Sequence, residues 1–226
     1  PYPIPHCVTL DIAAKNISSY QVGGDYFDIL ETPEKNLLFA IGDVTGKGIP
    51  AALLMANLQA MLHVLLPVDI SLSDASGQVN DIIYRNTPSD KFITFFWGIY
   101  NPENSEFKFV NAGHNPPVLL REGSDETEEL KEGGLILGAM STMAPYEEQK
   151  ITLYSNDVLV LYTDGVTEAM NEDETEEFGE ERLLNCIKNN RTKSAEEIQQ
   201  AIIDDVQAFS HDVQYDDITL IVIKVN

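Results

Sequence analysis

Acidic residues stand at the ends of apolar runs at several points in this chain, most of them beside glycine. Asp25 follows two glycines in VGGDYFD (22–28). Asp43 sits between an apolar run and a glycine loop in AIGDVTGKGIPAALLMA (40–56). Asp164 ends an apolar run in VLVLYTDG (158–165) and precedes Gly165. Asp216 and Asp217 come immediately before an apolar run in HDVQYDDITLIVIKV (211–225). Carboxylate and carbonyl oxygens are the ligands that hard cations such as Mg²⁺ and Mn²⁺ take. One Asp cannot hold such an ion, but strands that converge on a common core can bring terminal carboxylates together. Each position taken alone is also ordinary turn chemistry, since Asp-Gly makes hairpins. It is the set that points to a metal.

The glycine loop itself suggests a different ligand, a nucleotide phosphate, and fails the test. A Walker-type loop needs four residues between its first Gly and a Gly-Lys-Ser/Thr. Here Gly42 is followed by Asp-Val-Thr and then Gly46-Lys47-Gly48, with no hydroxyl residue after the lysine. GxGxxG is absent too, and an Asp inside a phosphate cradle would repel its ligand.

These carboxylates need strands and helices to carry them. Strands are expected over 7–14, 25–30, 36–43, 91–100, 106–113, 117–121, 149–155, 157–165 and 217–225, all rich in β-branched and aromatic residues and bounded by turn formers. The turn composition NPENS joins 91–100 to 106–113 as a hairpin. A helix over 50–66 puts Leu54, Leu58, Met61 and Leu65 on one face, with Pro50 in its first turn. A second, 73–86, groups Val79, Ile82 and Ile83. A third, 194–209, opens on a capping box of Ser194 and Glu197 and stripes Ile198, Ile202, Val206 and Phe209. A fourth covers 178–189. Strands outnumber helices and several are hairpin-linked, which gives an α+β fold of antiparallel sheets with packed helices.

The net charge is −23, from 37 acidic and 14 basic residues. That argues against nucleic acid or an anionic membrane as a partner, because both need a basic face. The acidic stretches 122–132 and 168–181 read as solvated loop and helix-start charge, with the alternative that the second, close behind Asp164, exerts a modest electrostatic effect on a nearby metal. Cys7 and Cys186 form neither a disulfide framework nor a metal spacing. They fit free thiols in a reducing compartment, and a cytoplasmic location is expected, although a longer parent chain could be tethered to a membrane. The apolar run 49–68 carries Asn57, Gln59 and His63 and is broken by Pro67, so it reads as a buried helix rather than a membrane span. The start on Pro1 rather than Met suggests a single catalytic domain, 1–226, cut from something longer.

At these residues the sequence resembles the bacterial metal-dependent serine/threonine protein phosphatases of the 2C type (PPM), in the subgroup of sporulation stage II protein E and the sigma-factor regulatory phosphatases. The matching motifs are VGGDYFD (22–28), IGDVTGKGIPAALLMA (41–56), FITFFWGIYN (92–101), FVNAGHNPPVLL (109–120), LVLYTDGVTEAMN (159–171) and YDDITLIVIKV (215–225), in the family's order and across nearly the whole chain. The resemblance implies a sandwich of two antiparallel β-sheets flanked by helices, with two Mn²⁺ or Mg²⁺ ions at one end. It implies that Asp43 bridges both metals, that the Val44 carbonyl helps hold one, and that Asp164 and Asp216 complete the second position. Asp217 stands next in line for that role, and Asp25 acts directly or through water. The implied reaction is hydrolysis of phosphoserine or phosphothreonine by a water held between the metals. The implied substrate is a phosphorylated STAS-domain anti-anti-sigma protein, under control of an upstream sensor. The helix 50–66 would act as a switch, so the fragment alone is expected to be weakly active, and a homodimer through this helix is left open.

The eukaryotic relatives carry a phosphate-gripping Arg and a His beside the bridging Asp. Here Thr45 and Lys47 occupy that loop and no Arg lies near Asp25, so the phosphate clamp and the general acid have no owner. Lys47 is one candidate for phosphate contact, against a solvated loop role. His114 in NAGHNPP is a candidate acid, against a turn residue that fixes its loop, and His63 reads as a packing or surface residue. Two other classes compete with the phosphatase: a phosphatase-fold module that only docks a partner, and a nucleotide-binding protein.

Overall fold

The computed structural model describes residues 3–19, 21–68, 70–88 and 90–226. Along the chain come β1 (Leu10–Ile17), β2 (Tyr26–Glu31), β3 (Leu37–Val44), α1 (Ile49–Leu65), α2 (Leu72–Asn86), β4 (Ile93–Asn101), β5 (Glu106–Ala112), β6 (Val118–Leu120), β7 (Thr127–Glu129), β8 (Gly133–Gly134), β9 (Gln149–Thr152), β10 (Val158–Tyr162), α3 (Asp164–Thr167), α4 (Gly179–Asn190), α5 (Ala195–Phe209) and β11 (Ile218–Val225). They fall into two compact units.

The first unit comprises chiefly Val22–Pro116 and Lys131–Leu153. Its sheet has the order β2-β3-β4-β5-β8, with β9 also on β5. All pairings are antiparallel except the two-residue β5–β8 contact, which is parallel. The expected hairpin is β4–β5, closed at Asn101↔Glu106. Period-two alternation splits the strands into two buried sets. Leu38, Ala40, Phe95 and Trp97 join the core formed with α1 and α2, while Phe96, Phe107 and Phe109 stack with centroids 5.6–6.5 Å apart and Phe39 meets Phe107 at a tilt.

The helices of this unit bury somewhat different residues from those expected. α1 buries Ala51, Leu54, Leu58 and Leu62, whereas Met61 and Leu65 pack only partly. In α2, Val79 and Ile83 are buried, with Leu72 and Ala75. Ile82 is 46% exposed, because the helix's buried arc is centred one position away from it.

The second unit comprises Cys7–Gln21, Pro117–Leu130 and Tyr154–Asn226. Its sheet is wholly antiparallel, in the order β1-β11-β10-β6-β7. Strands β10 and β11 place Val158, Val160, Tyr162, Leu220 and Val222 against α4 and α5 in one apolar core. Each such side chain, fully buried, contributes about 1.5–3 kcal/mol. The capping box of α5 is present: Ser194 Oγ accepts from the Glu197 N–H, and the Ser194 N–H donates to Glu197 Oε2. Cys7 and Cys186 are both free, and burial first of all pushes the Cys186 thiol up to about 12. Among the described residues no helix is long and apolar enough to cross a membrane.

Candidate active site

In the first unit the site is built by a strand ladder. Strand β2 pairs with β3 in the register Tyr26↔Gly42, so one further step along both strands sets Asp25 opposite Asp43. A Cβ on Gly24 would lie 2.9 Å from the Val44 carbonyl oxygen and 3.4 Å from Asp43 Oδ1. Only glycine lets the chain before Asp25 pass this close. On the other side Asp43 pairs with Thr94 of β4, and a Cβ on Gly42 would meet the Thr94 carbonyl at 2.8 Å. Asp25 is buried and Asp43 half-buried. The chain just before Asp25 thus passes against the Val44 carbonyl and the Asp43 carboxylate at one end of β3. Gly46 and Gly48 have φ of 93° and 75°, values that favour glycine, and turn the chain into α1.

The histidines and lysines here sort into separate roles. His114 is buried in its turn: its N–H donates to Asn111 Oδ1 at 2.8 Å, its carbonyl accepts from Asn111 Nδ2, and its ring Nδ1 lies 2.9 Å from Thr94 Oγ1. Those contacts are those of a loop-fixing residue. Lys47 is exposed. Lys91, unremarked in the sequence, places its ammonium 3.5 Å from the Thr45 carbonyl. His63 Nε2 lies 2.8 Å from Asp28 Oδ2, which also accepts from the Tyr26 hydroxyl. Burial, then the Asp28 charge, holds that phenol far above its ordinary range. This link joins α1 to β2, and its one sequence trace is an Asp three residues after Asp25.

In the second unit the site is built where β10 ends and β11 begins. The Thr163 N–H donates to the Thr219 carbonyl at 3.1 Å and Thr163 Oγ1 accepts from the Thr219 N–H at 3.0 Å. Asp164 then opens the short helix α3. A Cβ on Gly165 would lie 2.0 Å from the Asp217 carbonyl oxygen, so the Asp-Gly step lies directly on the Asp216–Asp217 segment. The two adjacent acids face different surroundings. Asp217 is 4% exposed, and its Oδ1 accepts from both the N–H and the hydroxyl of Ser19 at 2.7 and 3.0 Å. Asp216 is exposed, with Oδ1 accepting from the Asp217 N–H. Loss of hydration first, and then the charges of Asp164, Glu177 and Asp216, push the Glu168 carboxyl above its usual range. Asp164 and Asp216 therefore share one negative neighbourhood with Glu168, the first residue of the acidic stretch 168–181.

Among the described residues no three His, Cys, Asp or Glu side chains are gathered tightly enough to close on a metal ion. The acids stand in pairs, Asp25 with Asp43 and Asp164 with Asp216. The donor set is nonetheless all oxygen, which fits Mg²⁺ or Mn²⁺ and not a soft metal.

Comparison with known proteins gives this arrangement a family. Residues 33–226 match the model of the family described as Stage II sporulation protein E (SpoIIE). Among curated proteins, the phosphoserine phosphatase RsbU of Bacillus subtilis (strain 168) is 32% identical over 221 residues, which cover 98% of this chain and 65% of that protein. The chain thus spans just under two thirds of that relative's length. Among solved structures, the PP2C phosphatase domain of SpoIIE from Bacillus subtilis, with a fragment of its regulatory domain, superposes with a TM-score of 0.83 at 21% identity, over 96% of this chain and 63% of that one. RsbX in complex with magnesium superposes with a TM-score of 0.74 at 16% identity, over 99% and 98% of the two chains. The α+β arrangement of two sheets with their helices is that of the 2C-type phosphatases, and the chain belongs to the stage II sporulation protein E family.

Proposed function

We propose that this chain is a Mn²⁺- or Mg²⁺-dependent protein serine/threonine phosphatase. The observation that carries the reading is the pairing of acids by glycines with no room for a side chain. Gly24 seats Asp25 against Asp43 and Val44, and Gly165 seats Asp164 against Asp216. Family membership, the name phosphoserine phosphatase borne by RsbU, and the magnesium bound to RsbX support the same class.

In this reading Asp43, with the Val44 carbonyl and with Asp25 directly or through water, would hold one divalent cation and contribute to a second, which Asp164 and Asp216 would hold. Asp217 is a positioning residue: its carboxylate is taken up by Ser19, and its backbone carries Asp216. Bound cations of this kind lower the pKa of a bound water and offset charge on phosphoryl oxygens. The protein's part is to present the carboxylates from a rigid ladder. The Thr163–Thr219 hydrogen bonds and the Thr94–His114 contact brace the strand ends that do so. Cys7 and Cys186 take no part, since no covalent phosphoenzyme is formed. The substrate we propose is a phosphorylated STAS-domain anti-anti-sigma protein, with the chain controlled by an upstream sensor in its parent protein.

The test is hydrolysis of a phosphoserine STAS-domain protein with Mn²⁺, with chelator, and in the Asp43→Asn and Asp164→Asn variants. Activity should require the cation and vanish in both variants. Turnover that survives chelation or both substitutions overturns the proposal in favour of different chemistry. A folded, metal-binding chain that docks the substrate without turnover points to a binding module.

A further inference from the structure

The loop that follows Asp43 is tied to the start of β4 through one residue pair. The Thr45 N–H donates to the Phe92 carbonyl at 3.1 Å, Thr45 Oγ1 donates to the same carbonyl at 3.2 Å, and it accepts from the Phe92 N–H at 3.1 Å. Lys91 precedes Phe92, so its backbone is pinned to this loop. Its stem is half-buried and its ammonium lies 3.5 Å from the Thr45 carbonyl. A Cβ on Gly46 would come within 2.8 Å of that ammonium, so the glycine keeps the space around Nζ open.

The charge of Lys91 is not used by the fold. Lys35, Arg85, Arg121 and Arg182 each have a carboxylate partner. Among the described residues Lys91 makes no ion pair, and its one contact is the Thr45 carbonyl. Lys224 is likewise half-buried on a backbone carbonyl; what sets Lys91 apart is its place beside the loop that follows Asp43, where a half-buried cation can meet an anion from outside. The neighbouring end of α1 has the same sign. Gly48 caps it without a side-chain bond, and its first turn holds no acid, so the positive end of the helix dipole is not offset there.

We propose that Lys91 is the phosphate clamp of this chain: its ammonium contacts the phosphoryl oxygens of a phosphate monoester. The inference rests on the phosphatase reading above and gives an owner to the contact for which Lys47 was the only sequence candidate. Lys47 is exposed, whereas Lys91 is half-buried and its backbone is pinned to the loop through Phe92. An ammonium binds phosphate as a point charge and needs no bidentate geometry.

The experiment measures inorganic phosphate binding to the Mn²⁺-loaded protein by calorimetry, alongside phosphoserine-peptide kinetics, in wild type, Lys91→Met, Lys91→Arg and Lys47→Met. A charge-assisted contact of this kind corresponds to about a 10- to 100-fold change in affinity. Lys91→Met should weaken phosphate binding and raise KM by such a factor, with Mn²⁺ affinity and Tm unchanged, and Lys91→Arg should recover part of both. If wild type hydrolyses the peptide but Lys91→Met binds phosphate as wild type does, the clamp is disproved while the phosphatase reading stands. The same holds if Lys91→Met loses only Mn²⁺ affinity or Tm, as a loop fastener would, or if Lys47→Met alone weakens phosphate binding. A wild type that neither hydrolyses the peptide nor binds phosphate overturns both.

Discussion

The two pairs of acids are made in different ways. Asp43 lies on β3 and Asp25 one residue before β2, where the register Tyr26↔Gly42 extended by one step sets them opposite each other. Asp164 and Asp216 lie beyond the ladder's end, one at the start of a four-residue helix and one in the loop before β11. The first pair is partly withdrawn from water, and the Lys91 ammonium lies against the carbonyl of Thr45, two residues along its loop. The second is more open, and Glu168 and Glu177 add to its negative field. A ladder fixes position cheaply, because its hydrogen bonds are needed by the fold in any case. A loop has to be held by dedicated contacts, and here these are Gly165 on the Asp217 backbone and Ser19 on the Asp217 carboxylate.

The largest effects should come from the acids proposed to hold the cations. Asp43→Asn should cut kcat/KM by about a thousandfold or more, since metal assistance supplies several kcal/mol to the transition state. Asp216→Ala should do much the same. Measured without metal, its Tm should stay near wild type, because an exposed side chain costs little to remove. Equal losses of folding stability and activity in Asp216→Ala would remove the distinction between ligand and brace.

Asp217→Ala is the converse. It strips both hydrogen bonds from Ser19 and should cost about 1–3 kcal/mol of stability, read by urea denaturation, while the folded fraction keeps most of its Mn²⁺ affinity. Gly165→Ala should cost a similar roughly 1–3 kcal/mol through overpacking, because its Cβ meets backbone at 2.0 Å. Gly24→Ala, with 2.9 Å to the Val44 carbonyl, should cost less. If Gly24→Ala proves the more damaging, the ladder is the tighter of the two constructions.

Much of this was legible in the sequence, and the exceptions have physical causes. The strands that carry Asp25, Asp43, Asp164 and Asp216 are long, β-branched or aromatic, and bounded by glycine, so their ends could be placed to within a few residues. β7 (Thr127–Glu129) and β8 (Gly133–Gly134) were not, because neither has strand propensity. β7 exists through its pairing with β6, inside a stretch expected to be solvated loop, and its charges suit a sheet edge. The different surroundings of Asp216 and Asp217 were not legible for a related reason: adjacent residues at a strand's start point to opposite sides, and the partner of Asp217, Ser19, lies nearly two hundred positions away in sequence. Lys91 gave no signal because its place beside the Asp43 loop comes from the Thr45–Phe92 contacts, which only the folded chain reveals. Asp28 was masked by the more prominent Asp25.

The smallest effect tests whether the acidic surroundings of the second pair matter to the metal. Glu168 has its carboxyl pushed up by loss of hydration and by Asp164, Glu177 and Asp216, and electrostatic coupling is mutual. Whatever those acids do to Glu168, its charge does to the potential in which Asp164 and Asp216 would hold a cation. Glu168→Gln should therefore weaken Mn²⁺ binding to the second position by a few-fold, in keeping with the roughly 0.2–1 kcal/mol of an exposed charge pair. The effect should shrink as salt is raised, because exposed charges are screened. Asp28→Asn, which removes a buried charge beside the first pair, should leave that salt dependence unchanged. If Glu168→Gln alters Mn²⁺ affinity equally at low and high salt, the residue acts by contact and not by field. The openness of the second pair would then be an insufficient account of how it differs from the first.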